Sequence, residues 1–577
     1  MDASPRLVLR RREPTFAELF TPKLVTVLKE GYGLGDFRAD AVAGLTVAIV
    51  ALPLSMAIAI GSGVSPDRGL YTAIIGGFLV SALGGSRFQI GGPAGAFIVL
   101  IASIVERHGY DGLVLATGLA GLIMMAVGFS RLGTYIKYVP YPVTVGFTAG
   151  IAVIIFASQM RELAGLTLAQ EPAALLPKLA ALWEARGSVN AQALAVGGAA
   201  IATILLLRRF QPNWPGLLIA VTAASLAVYA LQLDVATVGS RFGGVPSGLP
   251  VPSVPAFSWE KLGAVLPDAL AIALLGAIES LLSAVVADGM TGRRHRSNCE
   301  LVAQGAANIG AVLFGGLPVT GTIARTATNV RSGAKGPVSG ILHAVYILLF
   351  MLLAAPLAAH IPLASLGAVL AIVAWNMAGR DEFAALLWAS AGDRLVVLAT
   401  FLLTIFADLT IAIGVGVVLG AFLFMHRMAE AIEVEGQGHV IAADQADDVG
   451  AARTGYDPAT ANDSDVLVYR VNGALFFGAT AAVNSVLDGI GWSPKLFVLD
   501  FSQVPIVDST AAKALEGFAR KLRHAGTVIY FSGGSKSVRR TLLAAGLRKP
   551  LIRYAGTAED ALVHGRALLA LSGPGGD

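Results

Sequence analysis

The chain has 577 residues, of which 55% are hydrophobic and only 14% are charged, and its mean hydropathy is +0.70. A soluble protein of this length needs far more charge to cover its surface, so the composition disfavours soluble enzymes, nucleic-acid binders and disordered scaffolds. The apolar residues fall in many separate runs, which is typical of a multi-pass membrane protein. The single cysteine, Cys299, excludes an intramolecular disulfide and a multi-cysteine metal site, and we expect no cofactor.

Charged residues are distributed unevenly along the chain. Residues 430–577 contain 14 basic and 16 acidic residues, whereas the preceding 429 residues contain 28 and 22. We therefore predict four parts: an N-terminal cytoplasmic segment (1–38), a transmembrane domain (39–430), a linker (431–464) and a soluble-type domain (465–570). The N-terminus has no apolar run directly after its arginines, so we expect no cleavable signal peptide.

About fourteen apolar segments follow one another in the membrane part, and several are too short to cross the bilayer alone as a helix. Their cores are residues 40–61, 69–83, 88–105, 112–129, 139–160, 190–207, 215–233, 264–287, 299–314, 319–330, 336–356, 361–378, 394–407 and 409–425. An even number places both termini on one side of the membrane. Loop charge supports this count, because the loops on that side carry 20 Lys and Arg residues against seven on the other. We predict cytoplasmic termini and insertion in the inner membrane. Asp40 and Asp268 lie near segment starts, where helix capping explains them.

Two segments are interrupted by glycine and proline where a spanning helix should begin. Residues 87–97 read RFQIGGPAGAF, and residues 315–326 read GGLPVTGTIART. Proline suits the first turn of a helix and glycines permit an extended backbone before it, so each motif predicts a short extended stretch followed by a half-helix. The breaks lie in segments three and ten, seven apart, which predicts two inverted seven-segment halves with discontinuous helices.

The N-terminus of a half-helix presents unpaired N–H groups and the positive end of the helix dipole. Two such ends that meet inside the membrane form an anion site, and small residues around them would let an anion approach the backbone. These small residues are Ala94, Gly95, Ala96, Thr320, Gly321 and Thr322. The alternative is glycine-mediated packing of helices without a ligand.

Polar or kinked positions in segments one, eight and ten complete the candidate site. Glu279 lies in the middle of segment eight, where a carboxylate must face a cavity, find a partner or be protonated. We predict a proton-coupling group there; the alternative is a structural hydrogen bond to a neighbouring helix. Arg325, one turn into the second half-helix, either contacts the anion or forms a structural ion pair, for example with Glu279. In segment one, Pro53-Leu54-Ser55 predicts an interruption that exposes backbone or serves only packing.

After residue 430 the sequence changes to a small α/β pattern. Strand-like runs alternate with helix-like runs, namely 466–471, 478–490, 496–501, 509–524, 528–532 and 535–546. Asp508 precedes a helix and matches an N-cap, and phosphorylation of Ser509 at the same helix start is the regulatory alternative. We interpret this domain as a regulatory or interaction module.

Several stretches together resemble the sulfate permease (SulP) family of anion transporters with a C-terminal STAS domain, over roughly residues 30–555. The matching motifs are LPLSMA (52–57), GLY (69–71), GGP (91–93), GAIES (276–280), NCEL (298–301), TIART (322–326) and Asp508-Ser509. The resemblance implies an elevator-like alternating access, in which core segments 1–4 and 8–11 move against gate segments 5–7 and 12–14. It also implies a homodimer in the lipid membrane, with a STAS domain that binds a cytoplasmic regulator.

The resemblance places the anion between the ends of segments three and ten, with segments one and eight alongside. The candidate substrate-binding residues are Pro53, Leu54, Ser55, Gly92, Pro93, Ala94, Gly95, Ala96, Thr320, Gly321, Thr322, Ile323, Ala324 and Arg325, and the proton-coupling residue is Glu279. The sequence is most similar to the bacterial branch that couples C4-dicarboxylates such as succinate or fumarate to protons. Leu54 and Ala94 stand where many animal members have glutamine and phenylalanine, which suits a larger organic anion.

The sequence therefore predicts a proton-coupled dicarboxylate symporter and not an enzyme. The alternatives are a sulfate, bicarbonate or halide transporter or exchanger of the same fold, with sodium as another coupling ion, then an anion channel, and last a membrane-tethered sensor.

Overall fold

A computed structural model describes residues 15–135, 140–168, 171–212, 214–254, 258–407, 409–430, 433–436, 465–476 and 494–571. The chain divides into two compact units, residues 1–420 and 421–577. Each unit is described by itself.

The described residues up to Glu430 form α-helices joined by loops. These are α1 (Phe16–Phe20), α2 (Lys23–Lys29), α3 (Leu34–Gly61), α4 (Pro66–Tyr71), α5 (Gly77–Leu83), α6 (Ile98–Phe129), α7 (Tyr141–Ala164), α8 (Leu175–Glu184), α9 (Ala191–Phe210), α10 (Gly216–Leu231), α11 (Val238–Phe242), α12 (Trp259–Thr291), α13 (Ser297–Leu313), α14 (Ile323–Arg331), α15 (Val338–Ala358), α16 (Leu363–Met377), α17 (Arg380–Trp388), α18 (Ala391–Phe406) and α19 (Leu409–Glu430). Two short strands, β1 (Gly91–Gly92) and β2 (Thr320–Gly321), precede α6 and α14.

A helix overlaps every one of the fourteen predicted segments. Segments three and four share α6, whose backbone leaves helical geometry at Gly109, with a φ of 68°. Segment two comprises α4, a π-helical turn over Thr72–Gly76, and α5. Of the described helices, eight are long and apolar enough to cross a membrane by length and composition. The short segments follow from the breaks, since the nine residues of α14 extend only about 14 Å.

Reciprocal contacts between segments two and nine support the inverted repeat. Thr72 in segment two accepts a hydrogen bond at 2.7 Å from the N–H of Leu317, which lies in the loop before β2. Glu300 in segment nine accepts hydrogen bonds at 2.9 and 3.0 Å from the N–H groups of Gly85 and Ser86, which lie in the loop before β1. Each second segment of one half therefore holds the loop that leads into the broken segment of the other half.

The first segments of the two halves show the same reciprocity. Asp40 in α3 accepts bonds from the Lys335 and Gly336 N–H groups at 2.6 and 3.1 Å, in the loop after α14. Asp268 in α12 accepts a hydrogen bond at 2.7 Å from Nη2 of Arg107, which lies near the end of the helical stretch that follows β1. The expectation that these carboxylates only cap their own helices is therefore wrong, because each one holds the far end of a half-helix from the other repeat.

The second unit contains a five-stranded sheet in the order β3-β4-β5-β6-β7. The strands are β3 (Glu433–Gly436), β4 (Val466–Asn472), β5 (Leu496–Gln503), β6 (Val528–Ser532) and β7 (Arg553–Ala555). β3 is antiparallel to β4, and the other neighbours are parallel. Helices Ser509–His524 and Lys536–Ala544 cover one face of the sheet, and helix Ala558–Leu571 covers the other.

The three predicted strands and the helices at 509–524 and 535–546 are confirmed, and the Asp508 side chain caps its helix by accepting the Ala511 N–H at 2.7 Å. β3 corrects the predicted linker at 433–436, while the rest of that linker and the helix-like run 478–490 lie outside the described residues. The sequence did not predict β7 or the last helix.

We expect Glu300→Ala to cost about 2–4 kcal/mol of stability, because two buried N–H groups would lose their acceptor. The measurement is thermal unfolding of the purified protein in detergent. Glu260→Ala removes an exposed carboxylate from the first turn of α12 and is the control. Equal shifts in the two variants would contradict the anchoring role of Glu300.

Candidate anion-binding site

The two broken segments meet, as the sequence predicts. β1 and β2 pair in antiparallel fashion, with Gly91 opposite Gly321 and Gly92 opposite Thr320. The Thr322 N–H extends this ladder by donating to the Ile90 carbonyl at 3.0 Å. The extended stretches thus satisfy backbone groups of each other, as a non-helical backbone inside a membrane protein requires.

A helix begins directly after each strand. A 3₁₀ turn over Gly95–Phe97 leads into α6, and α14 begins at Ile323. The residues at the two N-cap positions, Ala94 and Thr322, have extended backbones, and no described side chain caps either helix. Both positive helix ends therefore start beside the same two-stranded ladder, with N–H groups free for a ligand.

Close packing explains why glycine occupies the ladder. A Cβ atom on Gly92, whose φ is +155°, would lie 2.4 Å from Arg325 Nη1. A Cβ atom on Gly321 would lie 1.4 Å from Gln89 Nε2, an amide that donates to the Ser280 carbonyl at 3.1 Å. The glycines thus create the space that these two polar side chains occupy.

Arg325 is a buried cation for which the described part of the chain offers no carboxylate partner. Its side chain is 2% exposed, and Nη2 donates to Ser55 Oγ at 3.1 Å. Nε and Nη1 have no hydrogen-bond partner in the described part of the chain. A buried charge left in this condition is costly, so the arrangement favours binding of an anion.

Glu279 lies in α12, the helix that binds β2. The next residue, Ser280, is hydrogen-bonded to Thr320 Oγ1 at 2.8 Å, and Thr320 also donates to the Gly276 carbonyl at 3.2 Å. Glu279 is 9% exposed, and no described residue forms a hydrogen bond or ion pair with its carboxylate. The suggested Glu279–Arg325 ion pair is therefore absent, and the two opposite charges are buried separately.

The expected interruption of segment one is wrong. α3 continues through Pro53, and Gly69 packs so closely on this stretch that a Cβ atom there would lie 2.0 Å from the Ser55 carbonyl oxygen. Ser55 joins the site through its hydroxyl group. Leu54 is buried, whereas Pro53 lines an apolar groove.

The remaining predicted site residues differ in how far they are exposed. Pro93 and Ala96 are buried, Gly95 is partly exposed, and Ile323 and Ala324 are exposed at the start of α14. A Cβ atom on Gly95 would lie 3.8 Å from Met377 Sδ at the end of α16. The first helix end therefore faces a predicted gate segment.

Comparison with known proteins now identifies the family. The model of the sulfate permease family matches residues 37–400, and that of the STAS domain matches residues 457–561. The chain belongs to the sulfate permease family. It is therefore an anion transporter in a membrane and not an enzyme.

Relatives of this sulfate permease carry names that concern inorganic anions. It is 39% identical to a putative sulfate transporter, YvdB, of Bacillus subtilis, covering 87% of this chain and 92% of the relative. It is 30% identical to the bicarbonate transporter BicA of Synechocystis, covering 88% and 90%. These names give the expected dicarboxylate branch no support.

The fold of this sulfate permease also matches a solved structure. Murine solute carrier 26 family member A9, an anion transporter, aligns with a TM-score of 0.82 over 98% of this chain and 97% of that chain, at 17% identity. The match shows a shared fold, with many apolar helices followed by a C-terminal sheet domain.

Two further polar residues beside the ladder were not predicted from the sequence. Thr326 Oγ1 accepts from the Ile90 N–H at 3.1 Å and from Ser283 Oγ at 3.0 Å. Gln89 and Thr326 flank the two glycine motifs, and that position was the available signal. His343 is fully buried, and neither ring nitrogen has a hydrogen-bond partner among the described residues.

We expect Gly92→Ala to weaken anion binding by about tenfold, because the methyl group would displace the Arg325 guanidinium. The measurement is the concentration dependence of anion uptake in proteoliposomes. Gly198→Ala, where a Cβ atom meets nothing within 4 Å, is the control. An unchanged affinity in Gly92→Ala would show that the Arg325 position is unimportant for binding.

Proposed function

We propose that this sulfate permease is a secondary active transporter that carries a small oxyanion together with a proton. The observation that carries the proposal is a pair of buried charged residues, Arg325 and Glu279, that have no ion-pair partner among the described residues and lie near two converging helix ends. The N–H groups and the guanidinium supply positive potential, and the carboxylate supplies a titratable group.

Electrostatics links the anion to the proton. An anion at the helix ends brings negative charge near a carboxylate that no cation neutralises, and repulsion inside the bilayer is weakly screened. Protonation of Glu279 removes this repulsion, so the loaded site favours anion and proton together. Sodium is the second candidate for the coupling ion, because the ionised carboxylate would attract it as well.

Sulfate and bicarbonate are the cargo class that we favour, because the names of the relatives concern them. Dicarboxylates such as succinate and fumarate are the second candidate. The small residues Ala94 and Gly95 at the first helix end favour them, since these leave room for a longer anion.

An elevator-like movement fits the position of the site. The proposed core comprises segments 1–4 and 8–11, that is α3–α6 and α12–α15, and the proposed gate comprises segments 5–7 and 12–14. Gly95 of the core lies against Met377 and Val373 of the gate. Sliding of the core along this contact would expose the helix ends to alternate sides. We further propose a homodimer with cytoplasmic termini in the inner membrane, and regulation through the STAS domain.

Glu279→Gln should abolish the stimulation of uptake by an inward proton gradient, because the amide cannot exchange the proton. Uptake without a gradient should persist, since Arg325 and the helix ends remain. The measurement compares anion uptake into proteoliposomes with and without the gradient. Glu260→Gln, on the same helix but exposed, is the control. Unchanged stimulation in Glu279→Gln would reject its coupling role.

Competition identifies the cargo. We expect unlabelled sulfate or bicarbonate to suppress gradient-driven uptake more strongly than equal concentrations of succinate or fumarate. Stronger competition by the dicarboxylates would select the second candidate. Single-channel currents in place of saturable uptake would replace the transporter mechanism with a channel.

A further inference from the structure

A groove between three helices remains unexplained by the anion site. It encloses about 510 Å³ and is lined by α3, α10 and α15, including Leu52, Pro53, Thr222, Phe350 and Leu357. This size is in the range of cavities that bind small molecules. We call it the lateral groove. Its walls belong to helices of the membrane part, and α10 is a gate segment whereas α3 and α15 are core segments.

The lateral groove opens toward the surroundings of the protein at its apolar rim. Leu226 is 63% exposed and Leu357 is 69% exposed, although both side chains line the groove. On helices that span a membrane, such exposed aliphatic residues face lipid. The opening is therefore lateral, toward the acyl chains of the bilayer.

The polar atoms of the groove are few and partly occupied. Ser225 Oγ donates to the Val221 carbonyl at 2.8 Å, and His360 Nδ1 lies 3.3 Å from the Pro356 carbonyl. No described Lys, Arg, Asp or Glu lines it. An anion would find no counter-charge here, whereas an alkyl chain would lose nothing on entry.

One end of the groove has the character of a membrane interface. The rings of Tyr229 and His360 are in edge-to-face contact, with centroids 5.8 Å apart, near the ends of α10 and α15. Aromatic residues with a polar tip concentrate at the depth of lipid headgroups. A chain that enters the groove would thus have its headgroup beside this pair.

We propose that the lateral groove binds one acyl chain of a membrane phospholipid, with the headgroup beside Tyr229 and His360. The chain lies against Pro53, two residues from the Ser55 that holds Arg325. Lipid therefore fills the seam between a gate helix and two core helices.

The test uses the full chain reconstituted with a phospholipid that carries a photoreactive diazirine in the middle of an acyl chain. Mass spectrometry of the labelled peptides should find Phe350 and Leu357 among the most heavily labelled positions. Thr222→Trp should reduce that labelling by about tenfold, because the indole fills the groove. Ala223→Trp, at the next residue of α10 and outside the groove, should leave it unchanged.

A second pair of variants tests the opposite wall. Leu357→Trp should protect Leu218 from labelling, whereas Leu353→Trp, exposed but outside the groove, should not. Labelling spread evenly over the lipid-facing helices, or labelling that is equal in the groove and control variants, would overturn the proposal. Binding is read without transport, so failure here leaves the proposed anion transport unaffected.

Discussion

The pairing of β1 with β2 is the interaction on which the membrane unit depends. An extended backbone in the bilayer must find hydrogen-bond partners within the protein, and here each broken segment supplies them for the other. The backbone groups that one break leaves without hydrogen bonds are therefore paired by the other break. Because the ladder is antiparallel and short, two helices begin beside it, and their positive ends meet where an anion could bind.

The ladder also determines where the charged residues lie. The space above Gly92 admits the Arg325 guanidinium, which Ser55 of α3 then holds, while Ser280 of α12 binds Thr320. Segment one is thus attached through Ser55 to Arg325 of α14, and segment eight is attached to β2 through the Ser280 hydroxyl and the Gly276 carbonyl. As a result, Glu279 is held beside the ladder without touching Arg325. A direct ion pair would have neutralised both groups and left neither for an anion or a proton.

The sequence was sufficient to predict fourteen segments and the two breaks, because glycine and proline act locally on the backbone. It was insufficient where the deciding contact is distant in the chain. In the sequence Asp40 and Asp268 resembled helix caps, but in the fold Asp40 binds a loop of the other repeat and Asp268 binds Arg107 of α6. Pro53 suggested an interruption, yet α3 continues there with Gly69 packed against it. In the second unit, β3 and β7 have only four and three residues, too short for a pattern to be recognised.

The reciprocal anchors have a mechanical consequence for access to the site. Thr72 and Glu300 hold the loops before the two strands, and Asp40 and Asp268 hold regions after the half-helices. Both ends of each broken segment are thereby attached to the opposite repeat, so separating the helix ends would break several buried hydrogen bonds at once. By contrast, even a Cβ atom added to Gly95 would reach Met377 of α16 only at van der Waals distance. Movement of the whole core along that apolar contact therefore costs less free energy than opening of the ladder. This difference favours transport with the site intact over transport in which the site comes apart.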